Sequence, residues 1–160
     1  MPVVSSHKDP ENLTLTIVSE HAADVDRVWQ IWEDPRQLEQ WWGPPTWPAT
    51  FEEHSLVPGG RSRYYMTGPE GEKAGGWWTI LTVDPPRSFE FEDGFADEGE
   101  ATPTTDTTRA VVTLEPVDSR TRMTIVTTFA SLEHLELLAQ MGMEEGMREA
   151  MGQIDGVLAG

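Results

Sequence analysis

From Leu13 to Glu20 the chain reads LTLTIVSE, and Leu13, Leu15 and Ile17 fall on one side of an alternation that predicts a half-buried strand. The period then changes. In ADVDRVWQIWED, Val25, Val28, Trp29 and Trp32 recur at helical spacing behind Asp24, a good N-cap. Asp34-Pro35 opens a second, short helix: Asp34 caps it, Pro35 suits its first position, and Gln37 stands where a capping-box partner would. Leu38, Trp41 and Trp42 share one face of it, Gly43 ends it, and Pro44-Pro45 forbids its continuation. The stretch QWWGPPTWP at 40–48 is therefore a stiff corner. Strand patterns follow at 49–56, 61–67, 75–84, 88–92, 109–115 and 122–130, with turns at 58–60, 68–71 and 85–86. Residues 93–108, acidic and rich in Gly and Thr, read as a long loop. From Ser131 the pattern is helical again. LEHLELLAQ comes first, Gly142 offers a bend, and Met143, Met147, Ala150, Met151, Ile154, Val157 and Leu158 then form one stripe.

This order describes an α+β fold. Two short helices follow the first strand, and an antiparallel sheet of six to seven strands wraps a long C-terminal helix whose apolar stripe needs a broad partner. Residues 1–12 are polar and read as a flexible segment, leaving 13–160 as a single domain large enough for one core. A hydrophobic share of 38% and a charged share of 24% are those of a globular chain. A net charge of −17 sets the protein against nucleic acid and anionic membrane surfaces as direct partners. The absence of cysteine removes disulfide, thiol-nucleophile and zinc–thiolate chemistry. The start MPVVSSHKDPENL lacks the basic and apolar regions of a signal peptide, and no apolar run is long enough to span a bilayer. The expectation is a cytoplasmic protein, monomer or homodimer.

Five segments in order carry a resemblance: VWQIWEDPRQLEQWWGP at 28–44, PGGRSRYYMTGPEG at 58–71, VDPPRSFEFEDG at 83–94, TRMTIVTTF at 121–129 and GMEEGM at 142–147. The chain resembles the Activator of Hsp90 ATPase homologue 1-like proteins, within the START and Bet v allergen-like (SRPBCC) superfamily. The resemblance implies a helix-grip fold, a curved sheet holding the C-terminal helix with a cavity between them. Members of the wider superfamily bind lipids, sterols, plant hormones or polyketide intermediates, and a few are enzymes. Many relatives place a Glu in the strand before the Pro-Pro turn. Here that strand reads TILTV, so no role resting on such a carboxylate carries over.

Seven tryptophans in 160 residues raise the question of what they fill. Burying one removes on the order of 200 Å² from water, worth roughly 5 kcal/mol, so most belong inside. Trp29 and Trp32 fit plain core on an amphipathic helix. Trp41, Trp42 and Trp47, at the corner where the implied cavity opens, are candidates for its wall. Trp77-Trp78 sends one ring to each face of its strand, and alternation leaves open which is inward; Trp78 joins the candidates with Phe89 and Phe91. Tyr64 and Met66 alternate onto one face, and Met143 and Met147 would supply an adaptable floor. The competing reading for each is core filling.

Catalytic patterns are scarce. His7, His21, His54 and His134 are scattered without metal-ligand spacing and read as surface residues. His54, on a strand beside Glu52 and Glu53, is the one candidate acid–base group. No nucleophile elbow or phosphate loop is present, and the glycine pairs at 59–60 and 75–76 read as turns or bulges. No metal or cofactor is expected. Three functions remain: binding of a small hydrophobic or aromatic molecule in the cavity, a cyclase- or hydrolase-type enzyme using the same cavity, and a co-chaperone-like protein-interaction module.

Overall fold

The computed structural model describes residues 3–96 and 107–159. In chain order the elements are β1 (Val3–Asp9), β2 (Thr14–His21), α1 (Val25–Glu33), α2 (Pro35–Leu38), β3 (Ala49–His54), β4 (Arg61–Thr67), β5 (Lys73–Asp84), β6 (Ser88–Ala96), β7 (Thr108–Val117), β8 (Arg120–Thr128), α3 (Leu132–Gln140), α4 (Met143–Met151) and α5 (Ile154–Ala159). Among the described residues, eight strands form one antiparallel sheet in the order β1-β2-β8-β7-β6-β5-β4-β3. With two short helices after β2 and three more after β8, this is the α+β architecture of a helix-grip fold.

The helix starts follow their sequence signals. The Asp24 carboxylate accepts from the Arg27 backbone N–H at 2.8 Å, and Asp34 accepts from the Arg36 N–H at 2.9 Å. Gln37 donates back to the Asp34 side chain at 3.0 Å. Helix α1 buries Val28, Trp29, Ile31 and Trp32. Strand β2 alternates between buried and half-buried positions, with Leu15, Ile17, Ser19 and His21 inward. Strands β7 and β8 match it with Val112, Leu114, Met123 and Ile125. These inward rows form the floor of the core.

Four expectations need correction. The sheet has eight strands rather than six to seven. The extra one, β1, lies within the segment expected to be flexible. Its residues are mostly exposed, because an edge strand is held by backbone hydrogen bonds to β2 and needs little apolar surface. Second, β6 runs to Ala96, so Asp93 and Gly94 are ladder residues paired with Trp78 and Trp77, not loop. The part of that loop at 97–106 lies outside the described residues. Third, Gly75 and Gly76 lie in the β5 ladder opposite Tyr65 and Tyr64. Fourth, the C-terminal helix is three short helices. Gly142, at φ +84°, takes the left-handed conformation that breaks it once, and a turn at Gly152–Gln153 breaks it again.

Polar straps hold these helices in place. Gln153 donates to the Gly43 carbonyl at 2.7 Å, fastening the second break to the stiff corner. Arg27 donates to the Val157 carbonyl at 3.0 Å, and Ser6 links Glu144 and Arg148 to β1. Because the helical cover is kinked, Leu135, Leu138, Met151, Ile154 and Val157 are buried while Met143 and Met147 are only half-buried. Within α4 the cover is therefore looser at Met143 and Met147 than at Met151.

Candidate functional site

Between the sheet and this cover lies a cavity of about 220 Å³. The corner after α2 contributes Trp41, Trp42 and Pro44, and α1 contributes Trp32. The sheet contributes Tyr64 and Met66 from β4, Phe91, Asp93 and Gly94 from β6, Thr108 and Ala110 from β7, and Ile125 and Thr127 from β8. The cover contributes His134, Leu138, Met141, Met143, Gly146, Met147, Ala150 and Met151. Most of this wall is apolar.

The aromatic side is a linked cluster. Trp32 meets Trp41 edge-on at 4.7 Å between centroids, Trp42 meets Trp78 at 4.8 Å, and Trp78 stacks on Phe91 at 4.3 Å. Two indoles are anchored: Trp41 donates to the Ile31 carbonyl at 3.1 Å, and Trp32 to the Met123 sulfur at 3.2 Å. The indole N–H groups of Trp42 and Trp78 are buried without a hydrogen-bond partner.

Tyr64 and Asp93 form the polar point of this wall. The Tyr64 hydroxyl reaches the Asp93 carboxylate at 3.4 Å, across the intervening strand β5. Gly76 makes this reach possible: a Cβ there would collide with the Tyr64 ring. Burial raises the Asp93 carboxyl to about 7, against the lowering pull of the Tyr64 hydroxyl and the Gly94 backbone N–H. Burial, then the Asp93 charge, pushes the Tyr64 phenol up. A carboxyl ionising near neutrality can hold or release a proton within a mostly apolar cavity.

Residues 22–159 match the family described as Activator of Hsp90 ATPase homolog 1-like protein. The chain belongs to this family. A solved protein of Arthrobacter aurescens is 60% identical, with 98% of this chain and 92% of that one covered and a TM-score of 0.94. A protein of Mycobacterium smegmatis is 51% identical over 99% of this chain and 98% of its own, at a TM-score of 0.91. A Staphylococcus epidermidis protein at 22% identity covers 98% of this chain and 94% of its own, at a TM-score of 0.83, and shares the fold. None of the curated proteins matches this chain.

Within this Activator of Hsp90 ATPase homologue 1-like chain, the structure brings Trp41, Trp42, Tyr64, Met66, Phe91, Met143 and Met147 to one cavity. Trp47, Trp78 and Phe89 are not among its lining residues. Trp78 is the inward ring of its pair, at 1% exposure, but lies behind Trp42 and Phe91. Phe89 is buried one layer deeper, against Trp29 and Trp32. Trp47 is half-buried with its ring against Gly68, where a Cβ would lie 2.7 Å from Cη2. The corner meets the cavity through Trp41, Trp42 and Pro44.

His54 also lies outside the lining. Its two ring nitrogens are held at 2.7 Å by the Ser62 hydroxyl and by the Trp32 carbonyl, so Nε2 carries the proton donated to that carbonyl. Glu52 pairs outward with Arg63 at 3.8 Å, leaving the expected acid–base pair unassembled. Two other histidines are buried rather than on the surface. His21 bridges Ser19 and Asp155, and His134 lines the cavity while accepting from the Ala130 N–H. Sequence reasoning missed Asp93, Gly76 and His134. For Asp93 the signal was available: extending the alternation of Phe89 and Phe91 by two residues reaches it. Among the described residues, no three His, Asp or Glu side chains are grouped to hold a metal, and no helix is long and apolar enough to cross a membrane.

Proposed function

We propose that the protein binds a small, mostly apolar molecule in the cavity between the sheet and its helical cover. The observation that supports this is the cavity itself: about 220 Å³ of space walled by aromatic rings on one side and methionines on the other. Such space inside a close-packed domain forfeits contacts that a ligand would restore. The rings are packed against one another before binding, so little ordering opposes association, while the methionines adapt to the ligand's outline. The volume is below the roughly 300–1,000 Å³ common for drug-sized ligands, which points to a small occupant.

The test is titration with acedan, a compact neutral dye whose emission reports polarity. Saturable blue-shifted emission is expected from the native chain. Ala150 is buried and lines the cavity, so Ala150→Trp should occupy the space and remove the signal without lowering the melting temperature much. Equal dye binding by a folded Ala150→Trp variant would place the dye elsewhere and defeat the proposal.

A further inference from the structure

Asp93 is the anionic group of a cavity whose described lining contains no Lys or Arg. The carboxylate's side-chain partner among the described residues is the Tyr64 hydroxyl at 3.4 Å, long for an O–H···O bond. Asp93 is half-buried and lines the cavity, and a charge partly withdrawn from water is normally paired. We infer, building on the cavity-binding reading, that the bound molecule is a monocation: an amine on an apolar or aromatic body, its ammonium seated against the Asp93 carboxylate.

Three further observations favour a cation. Trp32, Trp41, Trp42, Tyr64 and Phe91 line the same cavity, and aromatic rings are favourable neighbours for ammonium groups. The nearest side-chain dipole runs toward the carboxylate: the Tyr64 hydroxyl donates to Asp93. That arrangement favours charge on Asp93 once a counter-ion is present. The protein as a whole, at net −17, attracts cations and repels anions. An anionic ligand would meet Asp93 and this field together. A neutral alcohol would leave the carboxylate without a counter-charge.

The experiment compares naphthylmethylamine with naphthylmethanol, two probes of nearly equal shape, by calorimetry on the full chain in mildly alkaline buffer where Asp93 is ionised. The amine should bind about 10–100-fold more tightly, the range for a hydrogen bond to a charged group. Asp93→Asn should erase that advantage and leave the alcohol's affinity within about threefold of native. The comparison on the native chain decides the matter even if the variant fails to fold. Alcohol binding as tight as amine binding would overturn the inference while leaving the cavity-binding reading intact. Binding of neither probe would overturn both.

Discussion

Replacing Asp93 with Asn should stabilise the protein, and the gain should depend on pH. The carboxyl is raised from 3.8 to about 7 in the folded state. Between those values the folded chain keeps a proton that the unfolded chain has released, so stability falls as pH rises and levels off above about 7. Asp93 keeps partial exposure, so the total is on the order of 2–4 kcal/mol rather than the full value of the shift. Melting temperatures of native and variant chains across this range should diverge up to neutrality and then run parallel. A gap that did not change with pH would contradict the burial assigned to the carboxyl. His21 and His54 act with the opposite sign. Burial lowers both from 6.5, so their contribution is present above that value and is lost on acidification. In Asp93→Asn, with the opposing carboxylate removed, stability should decline steadily as pH drops below about 6.5, visible in the same melts. At this scale the sequence was partly legible. Phe91, Tyr64 and Met66 face inward because alternation dictates it, but alternation cannot tell a wall from the layer behind it, which is where Phe89 and Trp78 lie. Asp93 was obscured by the Gly- and Thr-rich composition that follows it.

Two glycines of the C-terminal segment, four residues apart, should respond oppositely to the same change. Gly146 lies within α4, and a Cβ added there meets nothing within 4 Å. Gly146→Ala should therefore stabilise by about 0.5–1 kcal/mol through helix propensity. Gly142 holds φ +84° between α3 and α4, so Gly142→Ala should destabilise by roughly 1–2 kcal/mol even though its surroundings are open. Urea melts of the two variants check both signs, and a stabilising Gly142→Ala would mean that the helix runs on through the break. The apolar stripe of this segment was readable from its period. Its second break was not, because Gln153 is fixed by the Gly43 carbonyl, a contact 110 residues away in sequence. Strand β1 was hidden for a related reason: its partner is backbone, which carries no sequence signature.

For the whole molecule, a chain ending at Ala130 should lose cooperative unfolding. The removed helices cover Phe91, Ala110, Ile125 and Thr127 on the inner face and carry the straps to Gly43, Arg27 and Ser6. A sharp denaturant transition in the truncated chain would show that the sheet closes its core without them. The order of strands has a consequence of another kind. An open sheet ends in two unpaired edges, and edges invite copies to join strand to strand and aggregate. Here both ends are blunted. β3 is six residues long, its register shifts between Phe51 and Glu53, and Glu52 and Glu53 are exposed on it. β1 carries its own register shift and an exposed Lys8, and Ser6 is tied to α4. A chain this rich in tryptophan thus guards against fibrous self-association with bulges and charge at its two borders.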